Sequence, residues 1–149
     1  GLGIPAEPLS RSSYTIIINQ GILGENWEYK FRGFDATRQK GWVYGDLVHN
    51  QKVTRTGLEP RVMVGGYEVV PESVGLRSGL TDCNGNDIYD GDVVQWSKDG
   101  KKYLIVFKSG MFYASVEEFN EGVYGGFPLW VLCEEEQPCA IVGQCFRVE

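Results

Sequence analysis

The sequence holds a single histidine, His49, two methionines and four alanines in 149 residues. One imidazole leaves little scope for histidine-based catalysis. A tetrahedral zinc site would need carboxylates or all four cysteines, Cys83, Cys133, Cys139 and Cys145, whose five-residue gaps fit no common zinc spacing. No Gly-x-Ser-x-Gly elbow surrounds Ser73, Ser78 or Ser97, and no glycine-rich loop ends in a phosphate-binding lysine. No apolar run approaches the ~20 residues of a membrane-spanning helix. Scarce alanine, and no 3.6-residue apolar period over any dozen residues, argue against long helices. No metal or cofactor is expected, no membrane association, and no enzymatic activity.

What is abundant is glycine, 20 residues, and aromatic side chains at 13%. Together with many Val and Ile residues they favour short strands joined by tight turns. The expected class is all-β, mainly strand with one or two short helical turns. At this length the prior is one domain, taken as residues 27–149, behind an N-terminal extension at residues 1–26. Within the extension, Tyr14–Asn19 is a β-prone run that could pair with an edge of this or a neighbouring subunit. Charge is unevenly placed. Residues 1–79 carry nine Lys/Arg against eight Asp/Glu, and residues 80–149 carry five against twelve. The acidic second half disfavours a phosphate backbone as partner, although a local basic stripe could survive. With no secretory leader read ahead of the cysteines, they are expected as free, buried thiols in a reducing compartment, and Cys139 and Cys145 on one strand would lie too far apart to bridge.

Along the chain, Trp27, Tyr29 and Phe31 alternate with Glu28, Lys30 and Arg32, the pattern of a half-buried strand with its charges on the solvent side. It is expected to pair with Trp42–Val48 across the turn at Gly33–Gly41. Residues 49–60, with His49, read as a polar connection to Arg61–Val64. Gly65-Gly66 marks a bulge or turn, and Pro71–Val74 a single helical turn closed by Gly75. Asn84-Gly85 and Asp99-Gly100 are tight-turn signals, the second closing a hairpin between Ile88–Trp96 and Lys102–Phe107. Ser109-Gly110 turns into Met111–Val116. Ser115 with Glu118 fits a capping box for a short helix over Val116–Glu121. A run from Phe127 to Cys133, an acidic loop at Glu134–Glu136 and a last strand from Cys139 to Val148 follow. About five short strands in the second half suit an SH3-like small barrel over residues 78–149, with the N-terminal strands beside it. Most of Trp27, Trp42, Trp96 and Trp130 are expected in the core; an exposed one could be a binding anchor.

The ordered set Lys30-Phe-Arg-Gly-Phe-Asp35, Trp42-Val-Tyr-Gly-Asp46, Gly79–Val94 with its Asn84-Gly85, Ile88-Tyr89 and Gly91-Asp92 steps, and Ile141-Val-Gly143 resembles the YopX family of phage and prophage proteins over about residues 30–148. Departures are Cys83, Ser78 and Gln144-Cys145-Phe146. The resemblance implies an all-β protein containing an SH3-type barrel, encoded on a phage or integrated prophage. It implies no activity, since the family is uncharacterised, and it places the chain in the cytoplasm of the bacterial host.

Two readings of the Gly79–Val94 block stand side by side. In the structural one, Gly85 and Gly91 take backbone angles closed to other residues, while Asp82, Asn84 and Asp90 accept hydrogen bonds from nearby amides. In the functional one, Tyr89, Asp90 and Asp92 line a recognition groove for a peptide. A calcium loop starting at Asp82 fails, because Asp87 stands where a glycine is needed and Val93 where a bidentate Glu is needed. Asp90 and Asp92, two apart on a strand, share a face without forming an acid–base pair. The expected function is therefore a non-catalytic interaction or self-assembly module, its partner an unidentified host or phage protein or a second copy in a homo-oligomer. The alternative is a nucleic-acid-binding small barrel using Lys98, Lys101 and Lys102 beside Gly91–Val94.

Overall fold

The computed structural model describes residues 30–116 and 126–146. Expectations for residues 1–26, for Trp27 and Tyr29, and for the helix beyond Val116 lie outside the described residues. Nearly all the rest is strand, in three antiparallel sheets.

The first sheet has the order β2-β1-β6-β7, from β1 (Phe31–Phe34), β2 (Trp42–Gly45), β6 (Gly75–Thr81) and β7 (Asp87–Tyr89). The expected hairpin of β1 and β2 is present, Phe31 opposite Gly45 and Phe34 opposite Trp42. Its loop is organised by Asp35, whose carboxylate accepts the amides of Thr37 (3.0 Å) and Lys40 (2.9 Å). Strand β1 departs from the simple alternation in one respect. Arg32, expected in solvent, is only 4% exposed, because its side chain is enclosed by Trp42, Tyr89 and, from the second sheet, Asp92.

The second sheet curls into a half-barrel of order β11-β10-β9-β8-β13-β12. Its strands are β8 (Asp92–Trp96), β9 (Lys102–Lys108), β10 (Met111–Val116), β11 (Gly126–Pro128), β12 (Cys133–Glu134) and β13 (Gln137–Gln144). The edges β11 and β12 are bridged by a 3-10 turn, Leu129–Leu132, which packs on both and on β10 and β13. Ile88, Val94, Trp96, Tyr103, Ile105, Ala114, Leu129, Leu132 and Cys139 form the core inside the curl. On β9, Tyr103 and Ile105 point into this core, while Phe107 at its far end packs against Phe112. Ser115 belongs to β10 and donates its hydroxyl to Leu104 O (3.0 Å).

The third sheet was not anticipated. Residues 49–60, read as a polar connection with His49 in a loop, are instead the middle of a long hairpin, β3 (Leu47–Thr54) with β4 (Gly57–Val64), joined by a short β5 (Tyr67–Glu68). Only its base is anchored: Leu47, Val62 and Val64 pack with Val43, Val69 and Phe31. Beyond that base it is a two-stranded arm in solvent, and lacking a buried face it shows no apolar alternation to read.

Cysteine placement also differs from expectation. All four are free, but only Cys139 is buried; Cys83 and Cys145 are exposed. The neighbouring Cys133 thiol, together with burial, pushes the Cys139 thiol far up.

Candidate functional site

The Gly79–Val94 block lies where the first sheet meets the half-barrel. Asp82 builds its first turn. One carboxylate oxygen accepts the amides of Asn84 and Asn86, both at 2.9 Å, and the other accepts Ile141 N of β13 at 3.0 Å. Burial raises the Asp82 pKa, but the three amides outweigh it and leave the carboxyl below its usual value. The loop from Asp82 to Asn86 is thus wider than the two-residue turn expected at Asn84-Gly85. Of that pair only Gly85 takes a positive φ, +80°.

Gly91 makes the second turn. Its amide donates to Ile105 O (2.8 Å) and its carbonyl accepts Cys145 N (2.7 Å), so three strands converge on it. Asp90 accepts Phe107 N at 3.2 Å, and its own backbone carbonyl leaves no room for a side chain at Gly75, where a Cβ would come within 2.4 Å. Burial raises the Asp90 carboxyl pKa, opposed by the Phe107 amide and by Arg32.

Between the two turns sits a buried ion pair. Arg32 Nη1 lies 2.6 Å from Asp92 Oδ1, with the side chains 4% and 0% exposed. The other Asp92 oxygen accepts Tyr89 N at 2.8 Å. The guanidinium is layered against Trp42 at 4.4 Å and Tyr89 at 5.1 Å from the ring centres. The Nη1 contact is close in charge but poorly aligned: neither Asp92 Oδ1 nor Arg32 Nε has a hydrogen-bond partner among the described residues. Burial pushes the Asp92 carboxyl up, while the Tyr89 amide, Arg32 and Gln144 pull it down. Tyr89 is likewise raised, by burial and by neighbouring Asp87.

Arg32 also separates two hollows. One is a cleft of about 460 Å³ walled by Lys30, Tyr44, Asn86, Asp87, Ile141 and Gln144, with Arg32, Tyr89 and Asp92 at its floor. On its rim Tyr44 is 54% exposed and its ring leans on Tyr89 at 5.6 Å. The other is a small pocket of about 90 Å³ bounded by Trp42, Glu72, Asp90 and Phe146.

The residues singled out in the sequence are therefore divided. Tyr89 and Asp92 face the cleft and Asp90 the small pocket, while Asn84, Gly85 and Gly91 shape the turns. Lys98, Lys101 and Lys102 are exposed at the opposite end of β8, roughly 15–20 Å along the strand. There Lys98 stacks over Trp96 at 5.3 Å, and Asp99 holds the turn by accepting Lys101 N (2.9 Å) and the Tyr103 hydroxyl (2.5 Å). Sequence reasoning missed Arg32, Lys30, Tyr44 and Gln144. Arg32 was hidden by an alternation that put it in solvent, and the others come together only through sheet pairing.

Among known proteins, a family model described as YopX protein matches residues 30–131. No curated protein matches. Among solved structures, protein EF1440 from Enterococcus faecalis is similar at 18% identity and a TM-score of 0.44, over 78% of this chain and 92% of that one.

Proposed function

The chain belongs to the YopX family, and on that premise we propose that it is a non-catalytic interaction module, encoded on a phage or an integrated prophage, that holds a segment of a host or phage protein in the Lys30–Tyr44–Gln144 cleft within the bacterial cytoplasm. The observation that carries this reading is the commitment of the carboxylates. Asp82 uses both oxygens on three amides, Asp90 holds Phe107 N and Asp92 holds Tyr89 N beside Arg32, which supports a structural use of all three carboxylates. Above that fixed floor the rim offers a half-exposed aromatic ring, a lysine and two carboxamides, a set suited to a peptide's side chains and backbone.

Panning the immobilised full chain against a random peptide library tests it. Peptides should enrich, and should lose about tenfold or more in affinity for Tyr44→Ala and Lys30→Ala. Absence of enrichment, or peptides indifferent to both substitutions, would refute the cleft. The exposed Lys98, Lys101 and Lys102 favour a second reading, nucleic-acid binding. Its mark would be affinity for a labelled oligonucleotide that falls steeply with salt and is lost in the triple Lys→Ala variant; no binding at about 50 mM salt would remove it. Activity in a turnover screen that disappears in Asp90→Asn or Asp92→Asn would overturn the non-catalytic assignment.

A further inference from the structure

Three of the most exposed large apolar side chains belong to two surfaces away from the cleft. Val53 is 84% and Leu58 64% exposed, directly opposite each other at the tip of the β3–β4 arm. Trp130 is 59% exposed on the 3-10 turn that bridges the half-barrel's edges, with Phe127 at 43% on the adjoining β11. Single exposed apolar residues are ordinary; here two lie side by side at the end of a projecting ribbon.

The arm has two faces. On one, the side chains satisfy each other: Arg61 Nε donates to Asn50 Oδ1 at 2.7 Å, and Lys52 pairs with Glu68 at 2.9 Å. On the other, apolar residues run outward from Leu47 and Val64 in the core through Val62 and Pro60, opposite His49 and Gln51, to the exposed pair Val53 and Leu58. Arg55 in the tip turn is exposed and has no ion pair among the described residues. From Leu47 to Val64 the arm carries Lys52, Arg55 and Arg61 against Glu59. The bridging-turn face has the opposite sign. Glu134, Glu135 and Glu136 are all exposed on the β12–β13 turn with no ion pair among the described residues, and Lys98, over Trp96, is one positive charge near them.

We propose that the Val53–Leu58 tip and Arg55 of one copy's arm dock on the Phe127–Trp130 face of a second copy, under its Glu134–Glu136 loop. Apolar surface meets apolar surface there, and a cationic ribbon meets an anionic rim. Pairing two arms tip to tip would place Arg55 beside its like, whereas the bridging-turn face offers it Glu134, Glu135 and Glu136. A contact between two different surfaces is head-to-tail, so it propagates to a ring or a filament. This goes beyond the cleft reading and uses none of its residues.

Complementation by sedimentation velocity on the full chain tests it. Wild type should associate as concentration rises, less so at about 500 mM than at about 50 mM salt. A tip variant, Val53→Ser with Leu58→Ser, keeps its face; a face variant, Trp130→Ser with Glu135→Lys, keeps its arm. Each alone should be monomeric, whereas their equimolar mixture should form a one-to-one complex that grows no further. Because every altered side chain is exposed, the fold is expected to survive. As a milder check, Arg55→Glu should weaken association about tenfold, and mixing it with Glu135→Arg should restore part of it. The proposal is overturned by a wild type that stays monomeric throughout, by a face variant that still associates alone, or by a mixture no larger than its components. A tip-dependent shift of a labelled DNA duplex without self-association would overturn it too, making the ribbon a groove reader.

Discussion

Removing either partner of the Arg32–Asp92 pair should be the most damaging single change in the described fold. Both side chains are buried, at 4% and 0% exposure, so neither charge can recover its hydration once the other is gone. Asp92→Asn preserves the size and an acceptor for Tyr89 N, yet it leaves a guanidinium without a counter-charge between two rings. Breaking a buried pair from one side costs about 3–5 kcal/mol, a large share of the roughly 5–15 kcal/mol that holds a domain together. At roughly 4 °C per kcal/mol for a chain of this size, the melting temperature should fall by about 12–20 °C. Urea unfolding followed by tryptophan emission is the assay, since Trp42 lies 4.4 Å from the guanidinium. Arg32→Met should be similarly damaging at neutral pH and less so in acid. Without its cation the Asp92 pKa rises further, and a carboxyl raised in the folded state imposes its penalty above that folded pKa and loses it below. The double variant Arg32→Met/Asp92→Leu should recover most of the loss, because a well-packed apolar pair often equals or betters a buried ion pair. Two single variants each costing under about 1 kcal/mol, or a double variant no better than the sum of the singles, would refute this account.

Other expectations are as direct. Asp82→Asn should cost about 1–3 kcal/mol, since a carboxamide turns a donor towards one of three amides that need an acceptor. It should also flatten acid unfolding: the Asp82 pKa lies below 3.8 in the fold, so its stabilisation is complete above 3.8 and disappears as pH falls through the folded value. Tyr103, pushed up to about 12 by burial and by its bond to Asp99, should ionise late in a 295 nm alkaline titration, and Asp99→Asn should bring it partway back towards 10. Gly75→Ala, whose Cβ would run into the Asp90 carbonyl, should be worse by thermal melt than Gly143→Ala, whose Cβ meets nothing and whose backbone is not left-handed. Towards an aromatic disulfide reagent, the exposed Cys83 and Cys145 should react at once, and buried Cys139 only on unfolding.

Much of the half-barrel was legible because turn chemistry and burial agree there. Ser109-Gly110, both at positive φ, makes the two-residue hairpin that sets Met111 opposite Lys108, and the β8–β9 hairpin follows its turn signal. The β3–β4 arm was not legible. On the exposed ribbon polar residues, His49 and Gln51 among them, interrupt even the more apolar face, and Pro60 lies where β4 has only one neighbour, so composition pointed to a loop. For the site, Tyr89 and Asp92 could be read as groove candidates from the turn block. Arg32 and Tyr44 could not, because their partners are supplied by strands far along the chain, and no local pattern encodes a pairing at that distance.

That distance also orders events during synthesis. The carbonyl of Asp90, which Arg32 touches, lies 58 residues downstream. At about 5–20 residues per second, Arg32 leaves the ribosome about 3–12 s before its counter-charge Asp92, 60 residues further on, can arrive. For that interval a guanidinium and the apolar side of β1 have no roof, so the nascent chain is exposed to proteases and chaperones until β8 is made. A truncated product ending before Asp92 should accordingly be cleared by proteases in an expressing cell and not accumulate as a smaller folded unit.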